Sequence, residues 1–120
     1  MNKKKTLSAT ERKKLEEERE QTKIELERLR EYLKTEPDPT GDEADLAAYE
    51  REKNLALVRR MEQKLEEIGN ALRAAQKGTY GICERCRKPI DPARLAALPE
   101  TTLCVKCKNE MEKAARRAAM

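Results

Sequence analysis

Two short stretches govern the architecture: Cys83-Glu84-Arg85-Cys86 and Cys104-Val105-Lys106-Cys107, which hold the only cysteines in the chain, with 17 residues between the pairs. Two thiolates two residues apart can face one point from a tight turn, and two such turns present four soft sulfurs in a tetrahedron, the arrangement that suits zinc. The spacing falls within the four-cysteine zinc pattern. The chain has no histidine, so the site is all cysteine: Cys83, Cys86, Cys104 and Cys107 are the expected ligands of one Zn2+. Four protein ligands leave no position for water or substrate, so the ion is expected to be structural. Two other readings of paired C-x-x-C are a redox site and two disulfides. The first needs a βαβ setting, which the flanking sequence lacks. The second needs an oxidising compartment. The start, Met1-Asn2-Lys3-Lys4-Lys5, runs into polar sequence rather than the apolar stretch of a signal peptide, so a reducing cytoplasmic location is expected.

Away from the cysteines, the composition excludes an ordinary globular core. Charged residues make up 42% of the 120 residues, there is no Phe or Trp, and there are three Tyr. Small cores of this kind usually need a metal or an oligomer for support. Acidic and basic residues are interspersed, as on exposed helical faces. The net charge of +4 permits contact with nucleic acid or an acidic surface without requiring it. No apolar run reaches membrane-spanning length.

Upstream lie two helical patterns. Ser8 and Glu11 form an S-x-x-E capping box, opening a helix that runs to about 32–34. Leu15, Thr22, Leu26, Leu29 and Leu33 follow a three-and-four spacing if Arg19 fills one slot. Two prolines and a glycine in Thr35-Glu36-Pro37-Asp38-Pro39-Thr40-Gly41 break the helix. A second helix spans about 43–77, roughly 50 Å. Its seam is Val58, Met61, Leu65, Ile68, Leu72 and Ala75, thinning upstream to Ala47, Arg51 and Asn54. Gly78 is placed to supply a left-handed cap. Downstream, Asp91-Pro92 predicts a short helix over 92–97, stopped by Pro99. The second cysteine pair opens a last helix over about 104–118, whose N-terminal dipole favours the thiolates.

The expected fold is therefore mainly α: a long antiparallel coiled-coil helical hairpin with a small four-cysteine zinc-finger module and a C-terminal helix. Residues 1–7 form a flexible basic tail, 8–77 the hairpin with its tip near 35–45, and 78–120 the cysteine module and final helix. The narrow apolar stripe suits a hairpin standing in solvent, as a monomer; the other reading is an intermolecular coiled coil, which the central Pro/Gly turn opposes only as one continuous helix. At its tip Asp38, Asp42, Glu43 and Asp45 cluster. Asp42 is placed to cap the second helix, with Asp45 returning a bond as in a capping box. A second role for the same residues is compatible with capping.

Cys83-Glu84-Arg85-Cys86, then Ile90, Arg94 and Pro99, then Cys104-Val105-Lys106-Cys107, with the lead-in Gly78-Thr79-Tyr80-Gly81, resemble the DksA/TraR C4-type zinc-finger signature position by position. Asp42-x-x-Asp45-x-Ala47 resembles the same family's D-x-x-D-x-A tip; set in another frame, the tip would use Asp38 and Asp42 instead. The resemblance implies a bacterial transcription regulator of the stringent-response type. Such a protein binds RNA polymerase, inserts its coiled coil through the secondary channel, and alters open-complex stability, often together with the alarmone ppGpp. It implies Asp42, Asp45 and Ala47 as the tip that acts on polymerase, and Arg60, Lys64 and Lys108 as counterparts of ppGpp or polymerase contacts. Glu67 and Leu98 stand where the family has basic residues, and a carboxylate facing a polyanion is unfavourable, so a weak or absent ppGpp response is expected. Two other functions fit the chain less well. A zinc-ribbon nucleic-acid binder would need a clustered basic face and stacking aromatics, so sequence-specific DNA binding is not expected. A coiled-coil adaptor would use its acidic tip for helix stability alone. An enzyme is the least expected reading, because there is no histidine and the cysteines are committed to metal.

Overall fold

A computed structural model describes residues 7–35 and 43–119. Four helices follow in chain order: α1 (Ala9–Thr35), α2 (Ala44–Lys77), α3 (Pro92–Ala97) and α4 (Val105–Ala118). The chain divides into two compact units, one of residues 1–15 with 67–120 and one of residues 16–66. α1 and α2 each run through both.

The capping box is formed as the sequence predicts: the Glu11 amide donates to Ser8 Oγ at 3.1 Å, and the Ser8 amide donates to the Glu11 carboxylate at 3.2 Å. In the 16–66 unit, Glu18 pairs with Lys64 at 2.5 Å, and Arg51 donates to the Leu33 carbonyl at 3.3 Å. Early residues of one helix thus meet late residues of the other, which makes the hairpin antiparallel. Arg30–Glu62 at 3.6 Å adds a third cross-helix contact. Leu26 and Thr22 are the buried side chains of this unit; Arg19, Leu29, Leu33, Asn54, Val58, Met61 and Leu65 are half-buried along the predicted seam. A seam one residue wide on each helix cannot shield itself fully, so most of it stays part-wet. The proline-rich stretch between the helices, and with it the predicted Asp42 cap, lies outside the described residues.

In the other unit the apolar side chains gather more fully. Leu15, Ile68 and Leu72 form one buried cluster, and Ala71, Ala74, Tyr80, Cys83, Ile90, Leu95 and Cys107 form a second. Leu7 packs against both. The end of α2 explains how the chain turns into the second cluster. Gly78 has φ of 76°, the Thr79 amide donates to the Ala74 carbonyl at 2.8 Å, and the Gly78 amide donates to the Ala75 carbonyl at 3.3 Å. This is the paired closing pattern of a Schellman cap, which needs the left-handed residue that glycine supplies. The predicted 92–97 helix is formed, with the Asp91 carboxylate accepting from the Ala93 amide at 2.9 Å.

Candidate metal centre and hairpin end

The first cysteine pair sits on a tight knuckle. An antiparallel bridge joins Ile82 to Pro89, and the Ile90 amide donates to the Gly81 carbonyl at 2.8 Å. Inside it the Cys83 amide donates to the Lys88 carbonyl, and the Arg87 amide donates back to the carbonyl of Cys83. Arg87 completes the turn at φ 65°, the one non-glycine residue with positive φ among the described residues. The second pair opens α4: Cys104 is its N-cap, and its sulfur accepts from the Cys107 amide at 3.4 Å. The predicted helix start is thus built on a cysteine cap, which aims the amide dipoles of the first turn at the sulfurs.

Several contacts hold the two cysteine turns together. The Glu84 amide donates to the Thr102 carbonyl at 2.9 Å. Arg85 donates to the Cys107 carbonyl at 3.4 Å and pairs with Glu110 at 2.9 Å. Arg94 Nε donates to the Leu103 carbonyl at 3.1 Å, immediately before Cys104. The Tyr80 hydroxyl donates to the Pro99 carbonyl at 2.8 Å. Burial, aided by the Glu11 and Glu100 carboxylates, pushes the Tyr80 phenol up to about 12, so it is held as a neutral donor. Tyr80, Arg85, Arg94 and Pro99 all belong to the signature or lead-in read from the sequence, and their stapling roles emerge only in the structure.

All four sulfurs lie within 4.8 Å of one another, and Cys86 Sγ stands 3.8 Å from Cys104 Sγ. A tetrahedron with metal–sulfur bonds of about 2.3 Å has edges of about 3.8 Å, so the cluster has the right size for a tetrahedral ion. Its donor set, four soft sulfurs and no oxygen, suits zinc. Burial pulls the Cys83 thiol upward, but the backbone groups of Cys86, Cys104 and Arg85 outweigh it and bring the thiol down to about 6. Burial and the crowding of the Cys104, Cys83 and Cys86 sulfurs push Cys107 up to about 12. A divalent cation bound by these four sulfurs would hold all of them as thiolates. No cysteine is in a disulfide.

The sequence and structure have solved and curated counterparts. Residues 78–113 match the profile of the prokaryotic dksA/traR C4-type zinc finger. The transcription factor DksA2 from Pseudomonas aeruginosa superposes with a TM-score of 0.62 at 34% sequence identity, covering 88% of this chain and 82% of that one. The chain belongs to the DksA/TraR family. Within that family it is 36% identical over 87 residues to the RNA polymerase-binding transcription factor DksA of Caulobacter vibrioides, covering 71% of this chain and 61% of that protein. It is 35% identical over 100 residues to the protein of the same name in Escherichia coli, covering 82% and 66% respectively. The chain thus spans less than two thirds of the length of these two curated DksA proteins.

The other residues that the DksA/TraR resemblance singles out fall in different places. Asp45 is exposed in the first turn of α2 and Ala47 is half-buried shortly after it, while Asp42 lies outside the described residues. Beside Asp45, Leu46 and Tyr49 are 62% and 67% exposed, an apolar component absent from the reading of the tip as an acidic cluster. Arg60 is exposed on the hairpin. Lys64 is engaged with Glu18. Lys108 lies in the cysteine unit, where its ammonium meets the Glu67 carboxylate at 3.5 Å beside Leu98. Among the described residues, no helix is long and apolar enough to cross a membrane.

Proposed function

We propose that this chain is a cytoplasmic, non-enzymatic regulator that binds bacterial RNA polymerase, with its hairpin entering the secondary channel and Asp42, Asp45 and Ala47 acting at the tip to change open-complex stability. The observation that carries this reading is the match to DksA2 across most of both chains, joined to curated relatives named as RNA polymerase-binding factors. The local physics supports it. A slim two-helix hairpin with charged outer faces is suited to a narrow, solvated pore. The exposed carboxylate of Asp45 stands in the first turn of a helix, where it gains from the dipole and keeps its charge outward.

Cys83, Cys86, Cys104 and Cys107 hold one structural Zn2+ in this reading. The ion supplies charge neutralisation and a rigid junction between the two cysteine turns, with no reactive role. The pairing of Lys108 with Glu67 supports a weak ppGpp response, because the carboxylate competes with the phosphates for the ammonium and repels them. Glu67→Lys is expected to strengthen any ppGpp effect on transcription. An already strong ppGpp synergy in the parent protein contradicts this part of the proposal.

Polymerase binding is tested by titrating core enzyme into fluorescently labelled protein, with and without an excess of another secondary-channel ligand. Saturable binding abolished by the competitor is the expected outcome. Binding that the competitor leaves unchanged places the protein elsewhere on polymerase, and absence of binding removes the partner from the account.

A further inference from the structure

Where α2 ends and the first cysteine knuckle begins, a cleft of about 310 Å³ is lined by Asn70, Arg73, Lys77, Thr79, Glu84 and Arg87. All six belong to one compact unit. Three cations share this space, and among the described residues none of them has a carboxylate within ion-pairing distance. Arg30, Lys64, Arg85 and Lys108 each meet a glutamate; what sets Arg73, Lys77 and Arg87 apart is that they line one cleft together. The cleft is not a by-product of a cation-rich surface that lacks carboxylates, because Glu84 lines it and, among the described residues, still forms no ion pair there.

One backbone feature points the same way. Arg87 occupies a left-handed conformation, φ 65°, that glycine would adopt at far lower cost. Arginine at such a position implies a use for the side chain, since strain of this kind concentrates at functional sites. Gly69 stands in the interior of α2, where glycine is unfavourable. A Cβ there would lie in ordinary van der Waals range of Arg73 Nη1, at 3.4 Å, so the guanidinium passes beside the glycine without requiring it. That guanidinium donates to Asn70 Oδ1 and has further donors to offer.

We infer that the cleft formed by Arg73, Lys77 and Arg87 binds a phosphate-bearing ligand through its phosphate oxygens. Two guanidinium forks match the paired oxygens of a phosphate, and an ammonium supplies a third charge without a directional demand. Glu84 leaves a surplus of two positive charges, which favours a polyanion such as a diphosphate over a monoanion. None of these residues is Lys108 or lies in the 16–66 unit, and the inference does not depend on polymerase binding.

The test uses the full-length, zinc-loaded protein and follows backbone amide resonances during titration with inorganic pyrophosphate, against sodium chloride at matched ionic strength. Saturable shifts are expected on residues 70–79 and 84–88. Arg73→Gln/Lys77→Gln removes two of the three cations and should weaken binding about a hundredfold, roughly tenfold for each lost charge-assisted hydrogen bond. Arg87→Gly, which eases the backbone and keeps the fold, should weaken it as well. A ten-residue oligothymidylate distinguishes the source of the phosphate: displacement of pyrophosphate points to a nucleic-acid strand, and pyrophosphate binding alone points to a free phosphorylated molecule, both supporting the site. Identical shifts with sodium chloride, affinities unchanged in both variants, or shifts confined to other residues overturn it.

Discussion

The two units of this chain are held by opposite means. The 16–66 hairpin buries only Leu26 and Thr22 among its described residues and leaves the rest of its seam part-exposed. It rests on helix-forming residues, cross-helix ion pairs and a narrow stripe. The cysteine unit is short of regular structure between Gly78 and Val105, yet it contains nine buried apolar side chains from Ile68 to Cys107, with Leu15 added from α1. Its irregular backbone is held by specific carbonyl contacts and brings four sulfurs to one point, where a metal can tie the two cysteine turns together. A periodic element tolerates loss of any one contact, whereas an irregular one depends on each.

Removing the metal should separate the two units most widely. Apparent binding free energies of structural zinc are about 10–16 kcal/mol at neutral pH, far above the stability of a small unit. Chelation, or Cys83→Ser, is therefore expected to abolish amide protection over 78–110 while helical circular dichroism from the hairpin persists. Unchanged protection after verified metal removal contradicts a structural ion.

A smaller effect sets the two cores side by side. Ile68 is fully buried and Met61 only half-buried. Ile68→Ala should cost about 2–5 kcal/mol, the range for emptying a buried site. Met61→Ala should cost about 1 kcal/mol, because water already reaches that side chain. Urea unfolding of the two variants measures the difference, and equal losses would show that the hairpin seam is as tightly packed as the cysteine unit.

The smallest effect isolates one carbonyl contact. Tyr80→Phe keeps the ring and deletes the bond to Pro99, for a loss of about 1 kcal/mol at neutral pH. It also carries a pH signature. The folded phenol titrates near 12, above its ordinary value of 10.0, so the folded state holds the proton more tightly than the unfolded chain. The associated stability is complete below pH 10 and is lost as pH rises through 12. That increment of alkaline destabilisation should be absent in the Phe variant when thermal melts at about pH 9 and about pH 11.5 are compared with wild type.

The same contrast decides what was legible from sequence. The capping box at Ser8, the three-and-four seam, the Gly78 cap and the Asp91-Pro92 helix all depend on residues within a turn or two of each other, and the structure has each of them. The four cysteines were legible because their chemistry needs a fixed spacing. The contacts that hold the cysteine unit were not. Tyr80–Pro99 and Arg85–Glu110 join residues 19 and 25 apart, and no local pattern announces them. Ala71 and Ala74 are buried on a face of α2 beside the predicted seam, because a third packing surface arrives from the cysteine module. Arg87 gives no warning of its left-handed turn, since glycine, the usual marker, is absent there.

Whether an acidic hairpin end acts on polymerase is best decided by open-complex lifetime on a promoter whose complex is intrinsically short-lived. Polymerase from the same source would be compared with wild-type protein and Asp42→Asn/Asp45→Asn, with binding measured in parallel. Asparagine preserves size and most capping ability while removing the charge. Wild type should shorten the lifetime, and the variant should bind polymerase without doing so. A variant that binds and shortens the lifetime as wild type does would contradict the role of the tip carboxylates, and a wild type with no binding and no effect would contradict the polymerase reading itself.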